Sequence, residues 1–168
     1  MYRIFQTLTY SLLSLGLSAQ SISQENLEQL KGSWSGTLTY TDYRDDTKQV
    51  TLQTSLMVEW KGDKGLFSFE YTEPNGDIVT GESKFKLLNK GQGLNYDGEK
   101  YEEVEANSTQ GDSNFNFVLQ KNGEDNDKPA IIRQELVLID DELQIIKQVK
   151  YQNSNEFFQR NRYQFVRD

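Results

Sequence analysis

The 168-residue chain has no cysteine, no histidine and only two prolines. Without cysteine it can form no disulfide staple, and an exported form could carry no thioether-linked lipid at a processed N-terminus. Stability therefore has to come from packing. With neither histidine nor cysteine, Ser-His and Cys-His nucleophilic sites cannot be built. The usual zinc ligand sets are excluded as well. Basic residues are in deficit: 18 Lys and Arg stand against 26 Asp and Glu, a net charge of −8. They are scattered singly along the sequence, with no basic patch. Nucleic acid, bound through phosphate neutralisation, is not an expected partner, and neither is an anionic membrane surface.

Long apolar runs are missing too, apart from Ile4 to Leu17 at the start, where Gln6, Thr7, Thr9 and Ser11 interrupt the stretch. It follows a single charge, Arg3, and precedes the small residues Ser18 and Ala19, which is the outline of a secretory leader. A membrane span needs about 20 mostly apolar residues. Residues 1–19 therefore read as a signal peptide, cleaved after Ala19 in preference to Ser18 and leaving no membrane span, with an uncleaved N-terminal anchor as the alternative. The expected location is exported, periplasmic or secreted.

Residues 20–31 read as a short helical lead-in: Ser23 is placed to cap, and Leu27 and Leu30 lie three apart on one side. From Gly32 to the end, residues 32–168, the helical period gives way to period-two alternation, the mark of half-buried strands in a single β domain. Segments begin at Ser33, Val50, Phe67, Ile78, Leu94, Tyr101, Phe115, Ala130, Leu143 and Glu156. Hairpin-length breaks separate them, among them Asn75-Gly76 and Asp97-Gly98, which supply the positive φ values of tight turns. No segment offers the long crossover a parallel pair requires. The expected fold is all-β: an antiparallel up-and-down meander of about eight to ten strands, closed into a barrel that leaves no edge exposed. A two-sheet sandwich is the alternative, with Asn122 to Lys128, read as an unpacked polar loop, as its longer connection.

Gly32-Ser33-Trp34 opens the first strand after a helical turn, and an arginine lies near the end of the last. In this the chain resembles the lipocalin and calycin superfamily of small barrels that enclose apolar ligands. The resemblance implies that Trp34 plugs the closed end with an arginine across its ring. Arg162 and Arg167 are both candidates, Arg162 slightly favoured. Without histidine, haem ligation in the manner of His-dependent relatives is excluded, and no cofactor is expected.

For chemistry the carboxylates remain. Asp45-Asp46, Glu102-Glu103-Glu105 and Asp140-Asp141-Glu142 fall in turns or strand ends, where acids are ordinarily solvated. Glu124 to Asp127 reads as a solvated loop rather than a calcium site, since it lacks the ligand spacing of an EF-hand. Aromatic residues are the other resource: nine Phe, nine Tyr and two Trp. They either fill the interior or line a cavity, and Tyr40, Trp60, Phe69, Tyr71, Phe85 and Phe117 are the candidate ligand-binding residues. Together these features point to a non-enzymatic exported barrel that binds a small, mainly apolar molecule. The alternative is a solid-core barrel that acts as a protein-interaction or envelope-associated structural domain.

Overall fold

A computed structural model describes residues 21–88, 91–108 and 114–168. The leader read from residues 1–19 lies outside them. The described chain begins with a short helix, α1 (Gln24–Glu28), followed by ten strands. They are β1 (Gly32–Asp42), β2 (Asp45–Lys61), β3 (Lys64–Thr72), β4 (Ile78–Leu88), β5 (Gly93–Tyr96), β6 (Glu99–Ser108), β7 (Phe115–Asp125), β8 (Lys128–Ile139), β9 (Glu142–Tyr151) and β10 (Phe158–Arg167). Each strand pairs antiparallel with the next, and β1 pairs with β10. The sheet is thus a closed barrel rather than a sandwich.

Closure depends on a close approach between β1 and β10. Gly36 faces Phe165 across the seam, and a Cβ on Gly36 would run into the backbone of Gln164. Only glycine lets the two strands come this near. Along the sheet the alternation expected from sequence is realised most plainly in β2, where Leu52, Thr54, Leu56, Val58 and Trp60 are buried and the residues between them exposed.

One end of the barrel is sealed. Ser23 forms a capping box with Asn26 and starts α1, and Ile22, Leu27 and Leu30 are buried against the barrel core. Trp34 is fully buried, and its indole N–H donates to the Leu30 carbonyl at 2.9 Å. Arg167, not Arg162, covers the indole, with its guanidinium 4.0 Å from the ring centroid. The same guanidinium donates to the Gln29 and Lys31 carbonyls, each at 2.9 Å, and to Asp141 at 3.1 Å. It thereby satisfies carbonyls left open where α1 ends. Arg162 lies on the other face of β10 and donates to Gln144. The reason is alternation: Phe165 is buried, so Arg167 shares its face and Arg162 does not.

Two turn readings need correction. The segment from Asn122 is not an unpacked loop. β7 continues to Asp125, the turn is Asn126-Asp127 with both residues at positive φ, and Asp125 is buried. Likewise β2 already begins at Asp45, whose carboxylate accepts from the Thr47 N–H and hydroxyl.

Candidate functional site

The side chains inside the barrel change character from one end to the other. In the sealed half they are apolar and close-packed: Phe67 lies against Phe85 with centroids 4.3 Å apart, Phe115 stacks on Phe117 at 4.7 Å, and Leu138, Leu143 and Phe165 are buried among them. Towards the open mouth, where the β5–β6, β7–β8 and β9–β10 hairpins lie, polar groups enter. Tyr96, Tyr101, Gln134, Asn161 and Tyr163 join Ile132 and Ile145 around a cavity of about 330 Å³. Ten strands make a wider cylinder than eight, which leaves room the side chains do not fill.

The phenols are held in place by their neighbours. Tyr96 stacks on Phe85 at 4.6 Å with the rings 10° from parallel. The Tyr163 hydroxyl meets the Tyr71 hydroxyl at 3.1 Å, and its ring packs on Phe69 and Phe165. Burial keeps these groups neutral. It pushes the Tyr101 hydroxyl up to about 12 against an opposing pull from Gln134. It also raises Tyr163 far above the ordinary tyrosine value, with the bond to Tyr71 adding to the effect. At neutral pH the cavity therefore presents hydroxyl donors and ring faces rather than phenolates.

Lys147, which lines the cavity, leads to a buried ionic cluster behind it. Asp125, at the end of β7, accepts from Arg160 Nε at 3.0 Å, Arg160 Nη2 at 2.7 Å, Lys147 Nζ at 2.9 Å and the Tyr151 hydroxyl at 3.0 Å. Arg160 lies between the rings of Tyr43 and Phe158, 4.6 and 4.8 Å from their centroids. A bulge in β10 between Gln159 and Asn161 turns this arginine inward. Burial alone would raise the Asp125 carboxyl, but the Lys147 and Arg160 contacts outweigh it and hold the group below the usual aspartate value. The rim carries the exposed acids Asp97, Glu99 and Glu124, and Lys121, which pairs with Glu99 at 3.0 Å and lies 5.2 Å from the Tyr101 ring centroid.

None of the six aromatic candidates lines this cavity. Phe69 and Tyr71 pack behind Tyr163, and Phe85 packs behind Tyr96. Phe117 is fully buried in the sealed half. Trp60 lies across Gly65, donating its N–H to the Gly62 carbonyl at 2.8 Å. Tyr40 is half-buried on β1 between Val50 and Asn161. Of the acidic clusters, Glu103 is not a solvated strand end. It is half-buried within β6 and accepts the Ile22 N–H at 2.7 Å, and burial raises its carboxyl. Among the described residues no group of three or more acids is placed to hold a metal ion.

No family model matches the chain, and no curated protein does either. Its structure is similar to that of Rv2717c from M. tuberculosis, with 11% sequence identity, a TM-score of 0.60, and coverage of 86% of this chain and 96% of the other. It is also similar to the S-type phycobiliprotein lyase CPES from Guillardia theta, with 14% identity, a TM-score of 0.60, and coverage of 89% and 93%. At such identities the likeness extends to the barrel fold alone.

Proposed function

We propose that the protein is a non-catalytic, exported, lipocalin-like binding protein whose barrel mouth holds a small, mainly apolar molecule bearing one or two hydrogen-bonding groups. The cavity of about 330 Å³ supports this most directly. Its size falls at the lower end of the range of about 300–1,000 Å³ common to ligand sites, and Ile132, Ile145 and three tyrosine rings give it an apolar side beside the charged and amide groups that make up the rest of its lining. Ile132, Ile145 and the tyrosine rings would take the apolar body. The Tyr101 and Tyr163 hydroxyls, Gln134 and Asn161 would meet its polar groups. The three rim acids, with Lys147 already paired to Asp125, favour a neutral or cationic ligand over an anion. A structural neighbour that is a phycobiliprotein lyase is in keeping with small-molecule handling by this barrel shape. A barrel filled throughout would have suited an interaction domain better, and here the mouth is not filled.

The reading is tested by native mass spectrometry of protein purified from its own host, alongside an Ile145→Trp variant that fills the cavity. A co-purifying small molecule present in the wild type and absent from a folded Ile145→Trp variant supports the proposal. A ligand-free wild type that also fails to take up a neutral fluorescent apolar probe overturns it.

A further inference from the structure

Folding builds a basic patch that the linear sequence conceals. Lys61, Lys64 and Lys86 stand directly opposite one another across β2, β3 and β4. Lys84 lies two residues before Lys86 on the same face of β4, opposite Leu66. Like charges placed opposite each other in a sheet repel, and this happens in a chain whose net charge is −8. Local acids offset it only in part: the Asp97 carboxylate accepts the Lys84 backbone N–H at 2.6 Å. Lys86 reaches Asp63 only at 3.9 Å and Lys31 reaches Glu28 only at 3.7 Å, both pairs well exposed. The ammonium groups of Lys61, Lys64 and Lys84 have no carboxylate partner among the described residues.

Lys31, Lys61, Lys64 and Lys84 line a groove of about 670 Å³ towards the sealed end, with Glu59 as the acid in its lining, and it meets the wall of the mouth cavity where Phe85 stacks on Tyr96. The lining is otherwise apolar: Val58, Trp60, Leu66 and Phe85. An apolar surface edged by uncompensated ammonium groups complements a molecule with an alkyl tail and an anionic head. We propose that this groove binds a single-chain anionic amphiphile, its tail along Trp60, Leu66 and Phe85 and its carboxylate or sulfate head among Lys61, Lys64 and Lys84. The overall negative charge opposes approach to an anionic bilayer, so the ligand is a monomeric amphiphile rather than a membrane surface. The groove's lining shares no residue with that of the mouth cavity.

Dodecanoate titrated calorimetrically into the full chain tests the site, with 12-bromododecanoate as a quencher of tryptophan fluorescence. Saturable binding of dodecanoate, quenching that is lost in Trp60→Phe, and no binding of dodecyltrimethylammonium are expected. The combined Lys61→Gln, Lys64→Gln and Lys84→Gln variant should bind at least about tenfold more weakly. Its melting temperature should be unchanged or higher, since like-charge repulsion is relieved. Ile145→Trp should bind as the wild type does. Binding lost in Ile145→Trp but retained in the lysine variant would place the amphiphile in the mouth and overturn the inference. Equally fatal would be no saturation up to about 1 mM, or sedimentation with phosphatidylglycerol vesicles without binding of the monomer.

Discussion

Asp125 and Arg160, 35 residues apart, meet through two hydrogen bonds of 3.0 and 2.7 Å to one carboxylate oxygen, with both side chains 1% exposed. Removing Asp125 takes the carboxylate away from both Arg160 and Lys147. Asp125→Asn should therefore cost about 3–5 kcal/mol, while Asp125→Leu combined with Arg160→Met should cost less than the single change. Urea unfolding of the three proteins checks this. A single variant as stable as the wild type would show that the pair does not hold the mouth together.

The same aspartate sets an acid limit. Its folded-state value lies below that of the unfolded chain, so the stabilisation is complete above the ordinary 3.8 and is lost as pH falls through the folded value. Unfolding midpoints followed from about pH 7 to about pH 2 should fall less steeply in Asp125→Asn than in the wild type.

At the alkaline side the sign reverses. Tyr101 and Tyr163 are raised by burial, so the neutral phenols stabilise the fold fully below the unfolded value of 10. That contribution is lost as pH climbs through the folded value, about 12 for Tyr101. Absorbance titration of phenolate should show a late class that disappears in denaturant. Simultaneous ionisation of every tyrosine at about pH 10 would contradict it.

Trp34→Ala should destabilise the barrel by about 3–5 kcal/mol, as expected for a fully buried large side chain. Arg167→Lys keeps the cation but loses the fork that reaches Gln29, Lys31 and Asp141. A loss of about 1–3 kcal/mol is expected, and a thermal melt of each variant measures it.

The β1–β10 seam has its own probe. Gly36→Ala would press a methyl group into the Gln164 backbone, and overpacking of this kind costs about 1–3 kcal/mol or more. Hydrogen exchange should show β1 and β10 losing protection ahead of β7 and β8. Uniform loss around the barrel would argue against a weak seam.

Most of the fold was legible because a half-buried strand writes its burial into alternate residues, as β8 does along nearly its whole length and β2 does from Leu52 to Trp60. The site was less so. Carrying the alternation of Phe115, Phe117 and Leu119 onward through Lys121 and Gly123 would have put Asp125 inside, but polar composition suggested a loop. Counting on from Phe165 would have chosen Arg167 over Arg162. Arg160 had no such signal: without the bulge it falls on the outer face, and a bulge leaves little trace in one sequence. The cavity was hidden for a different reason. Alternation tells which face a residue occupies but not its height along the barrel, so Tyr96, Tyr101 and Tyr163 could not be separated from Phe69, Phe85 and Phe117.

Because β10 completes the circle with β1, the earliest-made ribbon waits for the latest before its free edge is covered. Such distant pairing makes for slow, late folding. A proteolytic nick between β9 and β10 would leave a strand-shaped vacancy that an added β10 peptide could reoccupy.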